Sequence, residues 1–149
     1  MAAKKRLARE LQDLAGNPPA WCKVTPNEDD MFEFKVTLIG PEKTPYEGGK
    51  FVVAVSVPVE YPFKAPKLKF VTKIYHCNVK AADGSLCLGS IETQWSPETK
   101  IVDLLLALYQ RLQDPDGEHA LDAETGKAFS SSRSQYDKTA KEWTKKYAK

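Results

Sequence analysis

Residues 31–70 read MFEFKVTLIGPEKTPYEGGKFVVAVSVPVEYPFKAPKLKF, and this stretch decides the fold. Phe32, Phe34, Val36 and Leu38 alternate with polar residues, the period of a strand with one buried face. Residues 51–57, FVVAVSV, are apolar on both faces, as a strand inside a sheet would be. Between the two runs, Gly40-Pro41, Pro45 and Gly48-Gly49 are turn signals, so the chain reverses and the strands form a meander. Working outward, Asn27-Glu28-Asp29-Asp30 marks an earlier reversal, which makes residues 21–25 one outer strand and residues 68–71 the other. Pro58, Pro62 and Pro66 each lack a backbone donor, so PVEYPFKAP is a rigid irregular link rather than a central strand. Tyr61 ahead of Pro62 favours a cis bond there.

Helices flank this meander. Leu7, Leu11 and Leu14 recur at helical spacing until Gly16-Asn17-Pro18-Pro19 stops them. Downstream, Ser96-Pro97-Glu98-Thr99 reads as a helix start, followed by the apolar stripe Ile101, Leu104, Leu105, Leu108 and Leu112 and a stop at Pro115. Asp122 is placed to cap a short third helix reaching about Phe129, and Tyr136, Ala140, Trp143 and Tyr147 share one face of a fourth. The order is one helix, four strands, three helices, an α+β arrangement with a four-stranded antiparallel meander flanked by four helices.

The chain has 149 residues, the size of a single domain spanning 1–149 that buries about two-thirds of its unfolded surface. No apolar run reaches the roughly 20 residues of a membrane span. The amphipathic first residues, MAAKKRLARELQDL, lack a signal core, and three cysteines without dense spacing fit a reducing compartment. A cytoplasmic or nuclear protein is expected, with no obligate dimer. A net charge of +2 is too small to argue for nucleic-acid binding. The charge is uneven, however: Lys4, Lys5, Arg6 and Arg9 crowd one end, Lys138, Lys141, Lys145, Lys146 and Lys149 the other, and an acidic loop runs from Asp114 to Glu118. The basic clusters are either solvated helix faces or docking surfaces for an acidic protein.

Residues 73–89, KIYHCNVKAADGSLCLG, carry the candidate chemistry. A thiol nucleophile needs exposure, room for a bulky electrophile and nearby donors. Cys87 lies among Gly84, Ser85 and Gly89, which supply exposure and a flexible approach, and Asn78 can supply the donor. Cys22 beside Trp21 reads as buried. His76, Cys77, Cys87 and His119 lack any paired Cys-x-x-Cys knuckle, so no metal is expected.

The succession GPEKTPYEGGKF, YPFKAPKLKF, IYHCN, GSLCL, QWSP and EWTKKYA resembles the ubiquitin-conjugating enzymes over essentially the whole chain, in the form of a minimal catalytic domain without terminal extensions. The resemblance implies that Cys87 accepts ubiquitin as a thioester from an activating enzyme and passes it to a ligase cysteine or a substrate lysine, with no cofactor of its own, since ATP is consumed upstream. It implies that Asn78 stabilises an oxyanion or holds the active-site loop, and that His76 is structural rather than a general base. Cys77 stands where proline is common in the family and is expected to pack in the turn. Many lysine-modifying members carry aspartates at positions that here resemble Gly89 and His119. This departure implies a preference for thiol acceptors, the alternative being that Glu118 or Asp116 substitutes for the missing aspartate through a small loop shift. Lys5, Arg6 and Arg9 match the face presented to the activating enzyme, and Phe63 and Pro97 match the apolar contact for ligases, either cysteine-dependent or RING-type. Lys23 stands where many relatives have a serine for non-covalent ubiquitin binding, which puts that binding in question. Other readings are a ubiquitin-binding scaffold without activity and an enzyme for another ubiquitin-like modifier.

Overall fold

In a computed structural model of the protein, residues 2–86 and 95–149 are described. Strands β1 (Cys22–Thr25), β2 (Glu33–Ile39), β3 (Lys50–Ser56) and β4 (Lys67–Phe70) pair in chain order, each antiparallel to the next. Among the described residues the α-helices are α1 (Ala2–Gly16), α2 (Ile101–Gln113), α3 (Ala123–Ser131) and α4 (Arg133–Tyr147), with one 3₁₀ turn at Gly117–His119. The expected meander and helices are therefore present, and the Tyr61–Pro62 bond is cis.

The alternation in β2 sets the register. Val24, Val36, Val53 and Phe70 form one cross-strand row, and Phe34, Val55 and Leu68 the next, both on the inner face. Ile101, Leu104, Leu105, Leu108 and Leu112 of α2 join these residues in a single core. Each such side chain contributes about 1.5–3 kcal/mol of transfer free energy on burial. Leu7 and Cys22 belong to the same core, and burial raises the Cys22 thiol to about 11, so it stays a neutral hydrophobe.

Four details differ from the reading of the sequence. In β3 only Phe51, Val53 and Val55 are buried; Val52, Ala54 and Ser56 are half-covered, because the outer sheet face is shaded only by neighbours such as Lys35 and Lys69, whose own side chains are exposed. Helix α2 begins at Ile101, not at Ser96: residues 96–99 close a separate turn, with the Thr99 N–H donating to the Ser96 carbonyl. Asp122 occupies the first cap of α3, yet it is its carbonyl that accepts from Gly126 N and Thr125 Oγ1, and its side chain makes no cap bond. On α4 the buried stripe is Tyr136, Ala140 and Thr144; Tyr147 lies at the rim, edge-on to Trp143.

Candidate active site

Residues 75–78 form a turn whose side chains point inward. His76, Cys77 and Asn78 are all buried. His76 Nε2 lies 2.9 Å from the Arg111 carbonyl at the end of α2, which can only accept, so the imidazole carries its proton there. Its Nδ1 accepts from the Asn78 N–H at 3.0 Å. With both ring nitrogens hydrogen-bonded and burial lowering the imidazole from 6.5 to about 4, His76 is held neutral.

This has a pH consequence. Because the folded value lies below the unfolded one, the contribution of neutral His76 to stability is complete above about pH 6.5 and is lost as pH falls towards 4. Urea unfolding at pH 7 and pH 5 is expected to show a loss of about 2 kcal/mol that His76→Gln does not show, at about 1.4 kcal/mol per pH unit. Identical pH profiles for the two proteins would contradict this.

Asn78 is 1% exposed and grips the loop after α2 from both ends of its amide. Nδ2 donates to the Asp116 carbonyl at 2.8 Å, and Oδ1 accepts from the Asp116 N–H at 2.8 Å. Oδ1 also faces the Cys77 thiol at 3.6 Å. These bonds brace the loop after α2. Cys77 is buried in the turn; burial raises its thiol, and its carbonyl accepts from Leu121 N at 2.9 Å.

The braced loop is organised from within. Asp116 Oδ1 caps the 3₁₀ turn by accepting from Glu118 N at 3.1 Å, and Oδ2 is 3.8 Å from the Arg111 guanidinium. Glu118 is exposed. Gly117 is required by packing, since a Cβ there would sit 2.7 Å from the Phe129 ring.

On the other side, Val79 bridges to Leu86 in antiparallel fashion, so the residue after Asn78 pairs with the residue before Cys87. Gly84 differs from its expected role of flexible approach. It is buried at φ +79°, its carbonyl accepts from Phe70 N at 2.9 Å, and a Cβ would meet the Phe70 carbonyl at 2.1 Å. It is a fixed close contact with β4. Cys87 and Gly89 lie outside the described residues, as does the side chain of His119.

At the tip, Trp95 Nε1 donates to the Pro62 carbonyl at 2.8 Å and ties the 58–66 link to the 95–100 loop, which carry exposed Phe63, at 74%, and exposed Pro97. Lys5 and Arg9 are exposed on α1, and Lys23 on β1. Arg6 differs from them. It donates to the carbonyls of Pro97 and Thr99, the latter at 2.7 Å, and its Nε lies 3.3 Å from Glu10 Oε2. Glu10, only 9% exposed, accepts in addition from the Tyr61 hydroxyl and from Ile101 N at 2.8 Å, where its charge meets the positive end of α2.

Glu10 escaped the sequence reading although a signal existed: it sits three residues after Leu7 and four before Leu14, inside the apolar stripe of α1. Tyr46 and Tyr136 also escaped it as site residues. Tyr136 reads as part of one aromatic-rich helix face, but nothing local shows that its hydroxyl accepts from Cys77 N at 3.0 Å.

The domain is thus α+β, a four-stranded antiparallel meander in which the buried turn of His76 and Asn78 is braced against the loop after α2. The profile of the family described as ubiquitin-conjugating enzyme matches residues 6–144. Ubiquitin conjugating enzyme E2 B of Dictyostelium discoideum is 46% identical over 149 residues, covering 100% of both chains. Among solved structures, a Plasmodium yoelii protein assigned to the ubiquitin conjugating enzymes superposes with TM-score 0.94 at 36% identity, covering 99% of this chain and 96% of that one. The E2 domain of a Toxoplasma gondii ubiquitin conjugating enzyme superposes with TM-score 0.91 at 35% identity, covering 98% and 99%. The chain belongs to the ubiquitin-conjugating enzyme family, and its activity is that of a ubiquitin-conjugating transferase.

Proposed function

We propose that Cys87 is the carrier and that the enzyme favours thiol acceptors. The thiolate of Cys87 attacks the carbonyl of the thioester on the activating enzyme, forms a new C–S bond and expels the activating enzyme's thiolate. An acceptor thiol or amine then attacks the same carbonyl and releases Cys87. The observation that carries this reading is the Val79–Leu86 bridge, which brings the chain entering Cys87 alongside the turn of Asn78.

The acceptor preference rests on acidity. Free lysine has a pKa near 10.4, so roughly one amine in a few thousand is neutral at pH 7, whereas a free thiol near 8.5 is already a few per cent thiolate. Lysine therefore needs acidic help in positioning and deprotonation, and Gly89 and His119 offer none. Asp116 is engaged within its own loop by Glu118 N and Arg111, so that of these two acids Glu118 is the exposed one. The preferred partners are accordingly ligases with a catalytic cysteine, met at the tip through Phe63 and Pro97, after charging by an activating enzyme that reads Lys5 and Arg9. The protein works as a monomer in the cytoplasm or nucleus.

Single-turnover discharge of preformed thioester tests the preference. Free cysteine should discharge the enzyme promptly and free lysine scarcely, and a Gly89→Asp/His119→Asp variant should raise lysine discharge about ten-fold. Rapid discharge of the unmodified enzyme onto lysine would contradict it.

A further inference from the structure

We propose that Tyr136 is a positioning residue for Asn78, acting through the Cys77 backbone N–H, and that Tyr46 holds it in place for that task. The inference rests on the transfer reaction proposed above.

The geometry is a closed circuit of hydrogen bonds. Cys77 N–H donates to Tyr136 Oη at 3.0 Å. Tyr46 Oη donates to the Tyr75 carbonyl at 2.7 Å, and the two phenol oxygens are 3.4 Å apart. A phenol has one hydrogen, and that of Tyr46 is spent on Tyr75, so Tyr136 is the donor between them. The chain therefore runs from Cys77 N–H through Tyr136 and Tyr46 to the Tyr75 carbonyl. It starts and ends on the two residues that flank His76, and clips the turn from outside. Tyr136 is supplied by α4 and Tyr46 by the connection between β2 and β3. Both are buried.

Packing alone does not account for two hydroxyls here. Phenylalanine at both positions would fill nearly the same volume without bringing two polar groups out of water, a burial that is unfavourable unless each hydroxyl is bonded. What the hydroxyls add is an acceptor for the buried Cys77 N–H and a donor for the half-buried Tyr75 carbonyl two residues before it. Cys77 needs that acceptor because, unlike proline, it has an N–H and a free φ. The Tyr136 bond restrains Cys77 much as a pyrrolidine ring would, and the next residue is Asn78, whose amide must meet both the N–H and the carbonyl of Asp116. A rotation at Cys77 would move that amide off its partners. The remaining anchors, from Arg111 to the His76 ring and from Leu121 to the Cys77 carbonyl, leave the Cys77 N–H to Tyr136.

The test is Tyr136→Phe in the full-length enzyme. Discharge of preformed thioester onto free cysteine, at saturating acceptor, should slow about ten-fold with an unchanged acceptor KM, while loading by the activating enzyme stays within about two-fold. In an Asn78→Ala background the same substitution should add less than about two-fold, since its route to the chemistry is gone. Cys77→Pro, which removes the orphaned N–H, should restore discharge in the Tyr136→Phe background. A readout independent of transfer is the ¹⁵N spectrum, where the Asn78 side-chain amide resonances should shift or broaden in Tyr136→Phe. Unchanged Asn78 resonances overturn the proposal whether or not the proline variant folds. So does a full ten-fold effect in the Asn78→Ala background. A failure of Cys87 to load would instead count against the transfer reading and leave the spectroscopic result to decide this one.

Discussion

Asn78→Ala is expected to slow discharge of the charged enzyme by about 100-fold or more, the scale of a misplaced site or of a lost oxyanion donor. The alanine removes two bonds between the Asn78 amide and the Asp116 backbone, one donated and one accepted, each 2.8 Å long. The Asp116 N–H and carbonyl lose those partners, so stability should fall together with rate, by about 1–3 kcal/mol. The loop set free is the one that carries Glu118 and His119, on the acceptor side of the proposed chemistry. Single-turnover discharge and urea unfolding on the same preparation check both expectations. Discharge within three-fold of the parent would contradict the brace.

Glu10→Ala is expected to be the most damaging substitution away from that turn. One carboxylate joins α1, through Arg6, to the Tyr61 hydroxyl of the proline-rich link and to the first N–H of α2. Its removal leaves a half-buried guanidinium without its counter-charge and a helix N-terminus without its acceptor, for a loss of about 2–4 kcal/mol. Glu10→Gln keeps an acceptor for Ile101 N and should cost less than half as much. Because Arg6 also holds the Pro97 and Thr99 carbonyls, the alanine variant should loosen the surface around Phe63 and Pro97 and weaken ligase binding even where the protein remains folded. Urea midpoints for the two variants check the order. A loss below about 1 kcal/mol for Glu10→Ala would show that the network contributes little.

The same residues explain what could be read from the sequence and what could not. The sheet was legible because β2 and β3 write their buried face at period two between glycine and proline turns, which is local information. The start of α2 was not. Ser96-Pro97 has the chemistry of a helix start, but the carbonyls of Pro97 and Thr99 are held by Arg6, and the first helical N–H is taken by Glu10, some ninety positions away. Local preference is overridden there by an ion pair that no window around Ser96 contains. Gly84 looked like a flexible element for the same reason, since its neighbour across the fold is the Phe70 carbonyl. His76 and Asn78 stood out beside Cys87 in the sequence and took their roles from resemblance to a motif; the partners of their side chains, Arg111 and Asp116 at the far end of α2, appear only in the fold. Tyr136 carried aromatic patterning in the sequence and Tyr46 none, and the partners of their hydroxyls appear only in three dimensions.

The most direct test of the account is charging. The protein is incubated with ubiquitin, ATP and activating enzyme and resolved on non-reducing gels, beside Cys87→Ser and Cys77→Ser. The account predicts an adduct of one ubiquitin that disappears on reduction, persists in Cys77→Ser, where the thiol is buried, and is absent from Cys87→Ser as a thiol-sensitive species. A thiol-sensitive adduct that survives in Cys87→Ser, or no adduct at all, would contradict it.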